Sequence, residues 1–166
     1  MKKKIITFLF LFIAYTAISA QNKDNYSFVF ENIKDATATD ADAQKCEIRL
    51  IFSDKSYPIV MMFNRDNGEK ENDKLMGFII CDEEDILHFP TVDNSTIYTI
   101  GMKEYQGKMQ LRITIKKDDG SGTPKPYVEL FNKEGDKYEQ GNNEEYIQLL
   151  ENAKNKRLKL YNVDLF

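Results

Sequence analysis

Apolar residues recur at every second position through most of the chain, and that spacing predicts strands. Cys46, Ile48, Leu50 and Phe52 share one face of Cys46–Phe52, with Glu47 and Arg49 on the other. Met109–Lys116 alternates most regularly, placing Met109, Leu111, Ile113 and Ile115 inward and Gln110, Arg112, Thr114 and Lys116 outward. Further strands are expected at Tyr26–Phe30, Ile97–Met102 and Tyr127–Phe131. Tyr57–Phe63 and Leu75–Cys81 are apolar on both faces, as in strands covered from both sides. Turn residues that tolerate positive φ separate these runs at Asp66-Asn67-Gly68, Gln106-Gly107, Asp119-Gly120-Ser121-Gly122 and Glu134-Gly135-Asp136. Asp35–Ala43, all small or acidic residues, is expected to be a surface loop, with a short helix as the alternative.

The period changes near the C-terminus. Tyr146, Leu149, Leu150 and Ala153 form the i, i+3, i+4, i+7 stripe of an amphipathic helix. Asn142 is the expected N-cap, with Glu145 completing a capping box and Asn155 a left-handed stop. A final strand is expected around Leu158 and Leu160, with Arg157, Lys159 and Tyr161 on its other face. The expected fold is mainly β, an antiparallel barrel or sandwich, with one C-terminal amphipathic helix followed by a final strand.

Met1–Ala20 has a different character. Lys2, Lys3 and Lys4 precede the apolar run Ile5–Ala14, and Ala20 supplies a small residue at the cut, with cleavage after Ser19 as the competing choice. That is the layout of a cleaved secretory signal peptide of bacterial type. The apolar run is shorter than the ~20 residues that a spanning helix needs. Gln21, the expected new N-terminus, is not the cysteine of a lipoprotein. Residues 21–166 are then a single β-rich domain, periplasmic or secreted, with no integral membrane segment.

Removing the signal shifts the charge. The whole chain has 23 basic and 27 acidic residues, and losing three lysines leaves the mature domain at −7 with His88 neutral. Nucleic-acid binding needs a basic footprint to neutralise phosphates, and this composition excludes it as the expected partner.

Export makes the cysteines a structural question. Cys46 and Cys81 are the only pair, and an oxidising compartment favours a disulfide that would stabilise the domain by roughly 3–4 kcal/mol. In a simple meander, however, the two would lie ~20 Å apart, against a required Cα separation of about 4.4–6.8 Å. A bridge therefore needs antiparallel or facing strands. The alternative is a pair of small buried apolar residues.

Catalytic chemistry is sparse. His88 is the only histidine and stands between Leu87 and Phe89, the setting of a packed residue more often than of a base. Its spacing from Cys81 matches no nucleophile–base pattern, and Cys and His are too few for a zinc site. Ser121 lies between glycines in a polar loop without the strand–elbow–helix setting of a serine hydrolase. Asp82-Glu83-Glu84-Asp85 and Asp66–Asp73 are acidic, but the EF-hand register would put Phe63 at the first ligand position. No cofactor or metal is expected.

Three function classes remain. The first is an exported non-enzymatic domain that binds a protein or small molecule, with Tyr98, Tyr127 and Tyr161 as its candidate surface. The second is a carrier of a small apolar ligand: strands, then a helix, then a last strand is a layout shared with lipocalin-like barrels. The Gly-x-Trp signature of that family is missing, since the chain has no Trp. The third class, the least favoured, is a secreted hydrolase.

Overall fold

The structure is a computed structural model that describes residues 25–52, 59–75, 79–81 and 84–154. The expected signal peptide, the final strand with Tyr161, and Asn155 lie outside the described residues. Within them the chain forms ten strands and one helix. In chain order these are β1 (Asn25–Phe30), β2 (Asn32–Asp35), β3 (Cys46–Ile51), β4 (Ile59–Arg65) and β5 (Lys70–Leu75). There follow β6 (Ile79–Cys81), β7 (Ile86–Pro90), β8 (Thr96–Tyr105), β9 (Lys108–Lys117) and β10 (Lys125–Phe131), then helix α1 (Glu139–Lys154).

The strands make two antiparallel sheets that are not closed into a ring, one of four strands in the order β1-β3-β4-β5 and one of six in the order β2-β10-β9-β8-β7-β6. The chain passes between them three times. Glu31 alone separates β1 from β2, so one run of backbone leaves the first sheet and joins the second. The chain returns to the first sheet between β2 and β3, and the third crossing falls between Leu75 and Ile79. Leu75–Cys81, expected as one strand, is therefore divided between the two sheets. A bridge from Leu75 to Thr91 and a hydrogen bond from the Val92 N–H to the Lys74 carbonyl (3.0 Å) tie the sheets at this side.

Alternation decides which side chains fill the space between the sheets. Tyr26, Phe28 and Phe30 from β1 and Cys46, Ile48 and Leu50 from β3 meet Tyr98, Ile100, Ile113, Ile115, Val128 and Leu130 from the six-stranded sheet in one buried cluster. Phe52 packs against its edge with its ring 5.8 Å from Tyr26, edge to face. The expected turns also form. Gln106 and Gly107 (φ 51° and 78°) close the β8–β9 hairpin, and two left-handed residues suit the twist of the flanking strands. Met109 departs from the expected pattern: it lies at the hairpin end, beyond the core, and is 57 % exposed.

Three strands carried no sequence signal. β5, Lys-Glu-Asn-Asp-Lys-Leu, is polar on both faces because it is the outer strand of its sheet, where charge discourages edge-to-edge pairing. β2 is only four residues long, and β7 was read as a segment around His88. Asp35–Ala43, expected as a loop, begins at the end of β2 and returns to it through a bridge between Asp42 and Ile33.

The helix start is also corrected. α1 begins at Glu139, so Asn142 lies inside the helix and does not cap it. The preceding turn is held instead by Asp136 Oδ2, which accepts from the Lys133 N–H (2.7 Å), and by Glu139 Oε2, which accepts from the Gly135 N–H (2.7 Å). Asn142 serves β1. Its Oδ1 accepts from the Val29 N–H (3.0 Å) and its Nδ2 donates to the Val29 carbonyl (2.7 Å), the two bonds a neighbouring strand would make. Glu145 accepts from the Ser27 N–H (2.7 Å), and Asn132 from the Glu31 N–H (2.9 Å). The outward amides of β1 are thus satisfied by side chains. Tyr146, Leu149 and Ala153 bury the apolar stripe of α1, and Tyr146 Oη donates to the Asp85 carbonyl. Asn142→Ala should destabilise the domain by about 1–3 kcal/mol, because the part-buried Val29 N–H loses its partner while the Val29 carbonyl keeps only the bond from Asn132. Urea unfolding of this variant beside Glu144→Ala, an exposed helix position expected to shift stability by less than about 0.5 kcal/mol, checks the assignment.

Candidate binding face

The same alternation that fills the core sends a polar set to the outer face of the six-stranded sheet. His88, Thr99, Thr114, Glu129 and Lys34 occupy successive register positions across β7, β8, β9, β10 and β2. The adjoining row carries Gly101, Arg112 and Phe131. Short side chains therefore line the middle of this face and long ones its margins. Gly101 must stay a glycine here, since a Cβ would stand 2.8 Å from Cγ1 of Ile86.

The result is a trough of about 890 Å³ over Thr99, Gly101 and Thr114, walled by Glu84, His88, Lys116 and Glu104 among others. A second groove of about 740 Å³ continues it past Lys34, Lys108 and Lys133. Lys103, Arg112 and Glu129 line both and form the waist between them.

Arg112 lies on the outward face, as its alternation predicts, yet it is only 6 % exposed. Its guanidinium carbon lies 4.5 Å from the centre of the Tyr105 ring and 4.7 Å from that of Phe131, a double cation–π contact. Nη1 donates to Glu129 Oε2 (2.9 Å) and Nη2 to Gln110 Oε1 (3.3 Å), while Nε is buried without a hydrogen-bond partner among the described residues. Glu129 also accepts from Lys103 Nζ (2.7 Å). Burial works against its ionisation, but the Lys103 hydrogen bond and the charges of Lys103, Arg112 and Lys34 outweigh it and hold its carboxyl below the ordinary range.

His88 lies half-buried in the trough wall with Nδ1 3.1 Å from Thr99 Oγ1. Burial, then the charge of Lys116, lowers its pKa against the pull of Glu84, so the imidazole is neutral at neutral pH. Of the other expected site residues, Tyr98 is fully buried in the core, and its hydroxyl donates to Asp73 on β5. Tyr127 is 41 % exposed under the Lys117 ammonium, 4.4 Å from the ring centre. The structure does not bring these two tyrosines to one surface. Ser121 sits in a turn, its N–H donating to Asp119 Oδ1 (3.1 Å) and its hydroxyl to the Thr123 carbonyl (3.4 Å).

Cys46 is a buried free thiol that donates to the Gln44 carbonyl (3.3 Å), and burial pushes its pKa up to about 11. In register Cys81 stands opposite Ile86 on the six-stranded sheet, whereas Cys46 stands opposite Phe30 and Arg65 on the four-stranded one. The Cys81 side chain lies outside the described residues. Among the described residues, no three His, Cys, Asp or Glu side chains are grouped to hold a metal ion. No helix among them is long and apolar enough to cross a membrane.

The signal that sequence reasoning missed was the Tyr105–Arg112–Phe131 stack. The three become neighbours only through the hairpin and the register shift between Pro126 and Val128. Comparison with family models, with curated proteins and with solved structures finds no match to this chain.

A group whose folded pKa is depressed stabilises the fold above its unfolded pKa and loses that contribution as pH falls through the folded value. Glu129→Gln should therefore be less stable than the parent at neutral pH, and the gap should close on acidification. Urea midpoints across a pH series check this.

Proposed function

We propose that this chain is an exported, non-enzymatic binding domain whose binding surface is the trough on the outer face of the six-stranded sheet. The observation that carries this reading is the floor of Thr99, Gly101 and Thr114 beneath walls of long polar side chains, an open recess of about 890 Å³ built on strands. Ligand sites commonly have such volumes and combine a shaped recess with a few fixed polar groups. Arg112, clamped between two rings, is a cation already held in one orientation. A hydrolase would need more than His88 beside a threonine: among the described residues no carboxylate hydrogen-bonds the imidazole.

The apolar-carrier reading has one observation in its favour. From β3 to β5 and from β6 to β10 each strand is bonded to the next in sequence, a run of antiparallel neighbours shared with up-and-down barrels, although β1 pairs with β3 and β2 with β10. Against it, Tyr26, Phe28, Phe30, Phe63, Phe89 and Tyr98 occupy the space a ligand would need.

Export is proposed from the Met1–Ala20 pattern. Protein recovered from the periplasm or medium of a bacterial host should show by intact mass a chain beginning at Gln21. For the trough, immobilised parent protein should retain components of a native envelope or medium extract that Thr114→Arg does not. Ile147→Arg, on the exposed side of α1, should retain them like the parent. Equal retention by all three proteins would remove the trough from consideration. An apolar small molecule released from the purified native protein on denaturation would replace this reading with the carrier.

A further inference from the structure

Charge is distributed unevenly over this domain. Although the mature chain carries −7, the groove beyond the waist is lined by Lys34, Lys103, Lys108, Arg112 and Lys133 against Asp40, Glu129 and Glu134. We propose that the trough binds an extended, carboxylate-bearing peptide segment of a partner protein, with its acidic side chains in the Lys34–Lys108–Lys133 groove. The proposal rests on the trough being the binding surface.

Three observations select this occupant. The cations are available: Lys103 and Lys108 are 56 % and 60 % exposed, and their pairs with Glu129 and Glu134 lie at the surface. Exposed pairs of this kind contribute little, since both charges are already well solvated, so an incoming carboxylate can exchange for either at little loss. Lys34 and Lys133 make no side-chain ion pair among the described residues. The local field also favours an anion, since Lys103, Arg112 and Lys34 jointly hold Glu129 ionised.

Shape favours a chain over a compact anion. Two recesses, of about 890 and 740 Å³, share the Lys103–Arg112–Glu129 waist, so one occupant can lie across both. Tyr105, 47 % exposed, offers apolar surface at the rim of the basic half. The domain's acidity argues against a long polyanion. A nucleic acid or acidic polysaccharide reaching past the groove would meet an acidic body, whereas a few carboxylates within a screening length of about 8 Å see mainly the lysines.

The test is fluorescence anisotropy of a labelled oligoglutamate, with labelled oligolysine, oligo(Gly-Ser) and an oligogalacturonate as comparators. The parent should bind the oligoglutamate and not oligolysine or oligo(Gly-Ser), more weakly as salt is raised. Lys108→Glu with Lys133→Glu should weaken binding by about tenfold or more. Lys70→Glu, on the far edge strand β5, should leave it unchanged, and circular dichroism and urea midpoints confirm that each variant is folded. Absence of oligoglutamate binding overturns the proposal, as does binding that the double variant leaves intact. Tighter binding of the oligogalacturonate with the same sensitivity overturns the peptide assignment. If oligoglutamate fails while Thr114→Arg still abolishes retention from extract, only the acidic-peptide inference falls. If Thr114→Arg is also silent, the binding surface lies elsewhere.

Discussion

The unpaired edge of β1 is the constraint around which this domain is arranged. An antiparallel strand presents an N–H and a carbonyl outward at every second residue, and leaving them buried without partners costs free energy comparable to a lost hydrogen bond each. On the far side from β3, no strand among the described residues supplies those bonds. Asn142 supplies both for Val29, Glu145 serves Ser27, and Asn132 serves Glu31 while also donating to the Val29 carbonyl (3.0 Å). The helix stands where a neighbouring strand would otherwise continue the sheet, which also blunts an edge open to intermolecular pairing. Its apolar stripe then has one place to go, against β1 and the core. Asn152 reinforces that placement by donating to the Tyr26 hydroxyl, whose ring is part of the buried cluster.

Once that edge is occupied, the two sheets are held by ties at opposite sides. The continuous β1–Glu31–β2 run crosses at one side; Leu75 and Thr91 meet at the other. Between the ties, side chains reach from one sheet to the other. Tyr98 is buried in the core yet places its hydroxyl on Asp73 of β5, and Lys117 of β9 meets Glu71 of the same strand at 3.0 Å. The inner faces are consumed by this packing, and the outer face of the six-stranded sheet is left to carry polar residues. Side-chain length contributes to its recess: glycine and threonines line the middle, with lysines, glutamates and arginine around them.

Strand content was legible wherever a strand has one buried face, because period two then separates apolar from polar residues; Cys46–Ile51 and the Leu111–Ile115 stretch read directly. It failed for β5, whose faces are both polar, and for Leu75–Cys81, whose continuous apolarity hid a change of sheet. The capping reading of Asn142 failed for a different reason. Asn and Glu at that spacing do suit a helix start, but here the same groups bond a strand more than a hundred residues away in sequence. The trough was the least legible feature. His88, Thr99, Thr114, Glu129 and Lys34 come from five strands, and only register aligns them. Nothing in the local pattern around Arg112 distinguishes it from Lys116, its equivalent on the same face of β9.

That difference between Arg112 and its neighbours bears on how the face can recognise anything. Lysines on the rim are mobile, strongly hydrated charges that set the sign of the local potential and the rate of encounter, but by themselves select little. A guanidinium held between two rings has lost its rotational freedom before any partner arrives. It also keeps Glu129 in place, so the waist of the trough is a fixed cation beside a fixed anion. A partner carboxylate approaching from the basic side meets attraction up to that waist and repulsion from Glu129 beyond it. Alternation of sign along one recess discriminates by spacing of charges, not by their number. Recognition of that kind suits a domain whose overall charge would otherwise turn anionic partners away.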